Sequence, residues 1–177
     1  MIKNKTYNNV INTLKNIGDK HHQISTVTTG DIYDINLQKM EKLPLMHINP
    51  VNVQTGESQL VFNFQIFICD LVSEKEDWTD ANFQSAHRLS NQQEVLSECL
   101  QITVDIISML RHSIHQSAEN VDDLDYPIYF TEGQFTIEPF TERFDNELTG
   151  WVFPVGVVVP NNFDSCNIPA TSDGSGE

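Results

Sequence analysis

Apolar residues at Tyr7, Val10, Ile11, Leu14 and Ile17 recur at helical spacing. Thr6 or Asn4 stands where an N-cap is wanted, and Gly18 where a left-handed closing residue is wanted. The pattern predicts a first amphipathic helix over 5–18. A short strand-like piece follows over 23–28, with Ile24, Thr26 and Val27, and Gly30-Asp31 reads as a turn into an irregular stretch. Residues 43–49 form a short extended segment between Pro44 and Pro50. After a turn signal at Gln54-Thr55-Gly56-Glu57, the clearest alternation of the chain runs over 59–72. Leu60, Phe62, Phe64, Ile66 and Ile68 share one face; Val61, Asn63, Gln65, Phe67 and Cys69 share the other. The first face is core and the second is mixed, as if only partly covered. At about 14 residues this strand is long for a globular sheet and reads as half of a protruding hairpin.

The strongest helical stripe covers 92–116, where Leu96, Leu100, Ile107, Leu110 and Ile114 are widened by Val95, Cys99, Ile102, Ile106 and Met109. A face that broad packs on a sheet, and Cys99 within it reads as core. A closing β region is expected at 128–130, 134–140 and 151–159. In the last segment Trp151, Phe153, Val155, Val157 and Val159 line one face, and Pro154 marks an edge or a bulge. Helix, strands, long helix, strands predicts an α+β fold, an antiparallel sheet packed by one long helix and an N-terminal helix. One domain is expected over 1–169, with a disordered tail at 170–177 made largely of Thr, Ser, Asp and Gly.

Composition narrows the classes of function. The chain has 177 residues, is 39% hydrophobic and carries a net charge of −15. That balance opposes a non-specific grip on nucleic acid and docking on anionic lipid. No apolar run reaches the roughly 18 residues of a membrane span, and no signal-peptide core follows Met1. Cys69, Cys99 and Cys166 are an odd number at no metal-ligand spacing, which reads as reduced thiols in a cytosolic setting. Charge is uneven along the chain: residues 1–42 are net +2, residues 43–111 net −6 and residues 112–177 net −11. A subunit with ends of opposite potential suits head-to-tail stacking into rings. The plainer alternative is an acidic surface that aids solubility.

Catalytic signatures are absent. There is no GxSxG, GxxxxGK[ST] or GxGxxG. His112 and His115 are three apart on the long helix without a carboxylate to complete an HExxH pattern, and His21-His22 fit a helix end. Asp122, Asp123 and Asp125 open like a calcium loop, which fails at Pro127 and lacks the required Gly. The strand phenylalanines lack the Lys and Arg of a base-stacking sheet.

A resemblance runs through roughly 7–169. Its residues are Asn12-Thr13-Leu14-Lys15-Asn16-Ile17, His22-Gln23-Ile24, Gly30-Asp31-Ile32, Leu43-Pro44-Leu45-Met46 and the Asp70-Leu71-Val72 step. It continues through Glu98-Cys99-Leu100-Gln101-Ile102, the run Phe144-Asp145-Asn146-Glu147-Leu148-Thr149-Gly150-Trp151, and Cys166-Asn167-Ile168-Pro169. These are packing and turn motifs. The chain resembles the tail terminator and tail completion proteins of tailed phages, most of all the versions carried by crAss-like phages. The resemblance implies a virion protein of the neck or tail, made in the host cytoplasm, with no catalysis and no cofactor.

On that reading the chain is a structural virion protein, a head-to-tail connector or tail ring of identical subunits through which DNA passes. The ring would hold on the order of six or twelve subunits and contact neighbouring ring proteins or a portal-adjacent adaptor. It needs no sequence-specific nucleic-acid binding and no membrane. Acidic loops carrying Glu74, Glu76, Asp77 and Asp80, and Asp122, Asp123 and Asp125, are candidates to face the channel. They would repel phosphates within about 8 Å at physiological salt. Phe67, Trp78, Trp151 and Val158 are candidate interface residues, on or beside strands whose extended edges could take a neighbour. The competing reading is an acidic DNA-mimic inhibitor of a host DNA-binding enzyme, which would need acids spaced like phosphates along one face.

Overall fold

The computed structural model describes residues 6–31, 42–72, 91–119, 129–130, 134–143 and 148–160. The elements are α1 (Thr6–Asp19), β1 (Thr26–Thr29), β2 (Leu45–Thr55), β3 (Gln59–Leu71), α2 (Gln92–Glu119), β4 (Tyr129–Phe130), β5 (Glu138–Arg143) and β6 (Leu148–Pro160). The strands form one sheet in the order β1-β2-β3-β6, with β4 and β5 sharing the outer edge of β6. Only β1 and β2 run parallel, so the fold is α+β with a mostly antiparallel sheet.

Period-2 alternation sorts the strand residues into two layers. Met46 and Ile48 of β2, Phe62, Phe64, Ile66 and Ile68 of β3, and Phe153, Val155, Val157 and Val159 of β6 bury against the helices. Val10, Ile11, Leu14 and Ile17 of α1 and Val95, Cys99, Ile102, Ile106, Ile107 and Leu110 of α2 close that core. Buried Thr103 stays satisfied inside α2 because its hydroxyl donates to the Cys99 carbonyl at 2.7 Å. The half-buried Trp151 ties β6 to α2: its indole N–H donates to the Leu96 carbonyl at 2.7 Å. His21, beyond the end of α1, lies 3.4 Å from the Asp105 carboxylate and links the two helices.

The opposite face holds a second, smaller cluster of Leu45, Phe67, Cys69, Phe140 and Leu148. Phe67 and Phe140 meet edge to face with ring centroids 5.7 Å apart. His47 is buried beside them, between the Thr28 hydroxyl at 2.8 Å and the Gly30 carbonyl at 3.1 Å, and so fastens β1 to β2. Gly30 has φ 136°, a conformation that side chains rarely adopt, and its N–H bonds the Ile48 carbonyl.

Three expectations change. The extended segment at 43–49 does not stop at Pro50: β2 continues to Thr55, and a register shift between Pro50 and Asn52 absorbs the residue that cannot donate. The strand expected at 134–140 starts at Glu138 instead. Nor is β6 an edge strand, since it pairs with β3 along its whole length and with β5 and β4 on its other side. Pro154 sits where neither β5 nor β4 supplies a partner, which is why it is tolerated there. The tail at 170–177 lies outside the described residues.

Candidate functional site: the uncharged open face of the sheet

The cluster around Phe67 covers only one end of the face turned away from the helices. At the other end, registered rows cross the three central strands: Asn49, Gln65 and Pro154, then Asn52, Asn63 and Gly156, then Gln54, Val61 and Val158. The Asn63 amide donates to Asn52 Oδ1 at 2.7 Å, and the Asn49 amide reaches Gln65 Oε1 at 3.5 Å. A cavity of about 490 Å³ opens over these rows, walled on one side by Gln134 and Phe135. Phe135 is held by an edge-to-face contact with Phe153 and by the Arg111 guanidinium 5.3 Å above its ring.

Charge distinguishes this surface. One residue in five of the chain is charged, yet β2, β3 and β6 together carry a single Asp, Glu, Lys or Arg, which is Asp70 near the end of β3. Burial explains this for the core positions. It does not explain residues 51–55, Gln59, Gln65 or Pro154, which are exposed, Val51 and Val53 each by about half. The tip of the β2–β3 hairpin is open to solvent on both faces and carries only Glu57. That agrees with the protruding hairpin expected from the length of the strand.

The residues singled out from sequence fall differently. Glu74, Glu76, Asp77, Trp78 and Asp80, and Asp122, Asp123 and Asp125, lie outside the described residues. Phe67 is buried within the subunit and Trp151 is occupied with α2, whereas Val158, half-buried where β4 pairs with β6, stands in the third row of the open face. Neither β3 nor the Trp151–Val152 end of β6 offers a free edge, because both sides are already paired. The amide rows were missed, although the signal was available: the runs 43–56, 58–69 and 148–163 contain no charged residue.

The two thiols near the start of α2 are poorly suited to act as nucleophiles at neutral pH. Burial pushes the Cys99 thiol up to about 12, with Asp70 and Glu98 adding to it. Burial, then Cys99 and Asp70, raise the Cys69 thiol further. Both are therefore thiols and not thiolates. Burial also raises the Asp70 carboxyl, opposed by the Leu71 N–H, which donates to it at 2.7 Å, and reinforced by Glu98. An acid raised in the folded state holds its proton where the unfolded chain has released it, so stability falls as pH climbs from the unfolded value through the folded one. Asp70→Asn is therefore expected to raise the melting temperature at pH 7. The gain should shrink to nothing below about pH 3, where the carboxyl is protonated in both states. Thermal melts of both proteins across that range check it.

Thr149 is fully buried and its hydroxyl has no hydrogen-bond partner among the described residues. Thr149→Val keeps the shape and removes the unsatisfied group, and should stabilise the fold by about 1 kcal/mol in urea denaturation. Among the described residues no group of three or more His, Cys, Asp or Glu is placed to hold a metal ion, and no helix is long and apolar enough to cross a membrane.

No protein-family model matches the chain, and no curated protein matches it significantly.

Proposed function

We propose that this chain is a structural subunit of a ring in the head-to-tail connector or tail of a tailed phage, through which the genome passes. The observation that carries the reading is the charge-free, solvent-exposed surface on the central strands of a chain with net charge −15. A strongly acidic protein that assembles with itself needs a region where like charges do not meet, and leaving charge out is the simplest way to build one. The resemblance to tail terminator and tail completion proteins supports the same reading and adds no catalytic step.

On this reading the remaining carboxylates serve the passage. Duplex DNA carries one charge per about 1.7 Å of axis, and a bore lined with acids does not hold it. The acidic segments with Glu74, Glu76, Asp77 and Asp80 and with Asp122, Asp123 and Asp125 are the ones proposed to face it. Quantitative mass spectrometry of purified particles tests the proposal. The expected result is a copy number in a multiple of six. Absence from mature particles, or a single copy per particle, would overturn it.

A further inference from the structure

We infer that the amide rows of the open face, Asn49 with Gln65 and Asn52 with Asn63, are the surface on which a second copy of this chain docks. The inference rests on the ring reading above and names the contact that such a ring uses. Three properties select the partner. A nucleic acid would be met by Lys or Arg, and these strands carry none. A basic protein would be met by carboxylates, which this chain has in excess but keeps off this face.

A second copy carries the same −15, so its approach is penalised wherever acids face one another within about a Debye length, roughly 8 Å. The open face imposes no such penalty. Its amides also suit a partner of the same composition, because every Asn and Gln side chain both donates and accepts hydrogen bonds. The cavity beside Gln134 and the half-exposed Val51 on its rim supply relief and apolar area to the same patch.

Sedimentation velocity of the full chain across a wide concentration range tests this, with two double variants at exposed positions. Gln54→Glu/Gln65→Glu places two charges on the face with little change of shape. Its self-association should be weaker by about tenfold or more at 0.1 M salt, and should recover in 1 M salt, where the screening length falls to about 3 Å. The neutral pair Gln54→Ser/Gln65→Ser should assemble within about twofold of the parent, since it adds no charge. Circular dichroism and melting temperature should be unchanged in both. Assembly of the charged variant equal to the parent would overturn the docking surface while leaving the ring reading standing. A parent that stays monomeric throughout would overturn self-docking through this face, and the particle copy number would decide the ring reading separately.

Discussion

Gly150→Ala is expected to leave the chain without a stable fold. Gly150 lies on β6 opposite Cys69 of β3 and opposite Phe140 of β5, so it is hemmed in on both edges. A Cβ placed there would collide with the Ile68 carbonyl oxygen and lie 2.7 Å from Cys69 Cα and 2.9 Å from the Ile68 carbonyl carbon. All three are backbone atoms of a fully paired central strand, and no rotamer change relieves them. Overpacking that side chains can absorb costs about 1–3 kcal/mol. This collision must move β3 itself, and a loss beyond about 3 kcal/mol is a large share of an ordinary domain's 5–15 kcal/mol. The contrast is Gly56→Ala, whose nearest neighbour is the flexible side chain of Gln59 at 3.2 Å, and which should cost under about 1 kcal/mol. Urea denaturation of the two variants separates the cases; a midpoint for Gly150→Ala close to the parent's would show that the two strands shift apart cheaply.

Phe67→Ala should destabilise the isolated subunit by about 3–5 kcal/mol. The side chain is 5% exposed and anchors the cluster beneath Phe140, with His47 tilted against it at 6.3 Å. Removing it leaves a hole between β2, β3 and β5 and strips the cover from His47, whose bonds hold β1 in place. From its position in a mixed strand face Phe67 was a candidate for the contact between subunits, but its area is already spent inside one subunit. The expected signature is a lower denaturation midpoint of the monomer. A monomer of unchanged stability that no longer assembles would return Phe67 to the interface.

Much of this fold was legible because its long elements obey a single period. In β3 the alternation of Phe62, Phe64, Ile66 and Ile68 against Asn63 and Gln65 gave both the strand and its wet side. The broad stripe of α2 gave a helix lying on a sheet. What failed was non-local. Nothing near Pro154 says that two short strands will approach β6 from either side of it, so the residue read as an edge marker. Pro50 read as a stop because a bulge that rescues it depends on the partner strand. The α1–β1 unit was readable as helix then strand, but not the parallel pairing that His47 and Gly30 secure. For the candidate site, single residues such as Phe67 and Trp151 drew attention by size, whereas the informative signal was a missing residue class across three separate runs.

The uncharged central strands have a consequence during synthesis. β3 leaves the ribosome well before β6, the strand that flanks it along its whole length, because α2 and the segments around it are made in between. In that interval an apolar, β-prone strand waits with one side unpaired, the kind of segment that nucleates aggregation. Glu57 and Asp70 bracket it as gatekeepers. Asp70 is the acid whose ionisation the finished fold opposes, so its place in the chain makes sense for the nascent polypeptide and not for the native one.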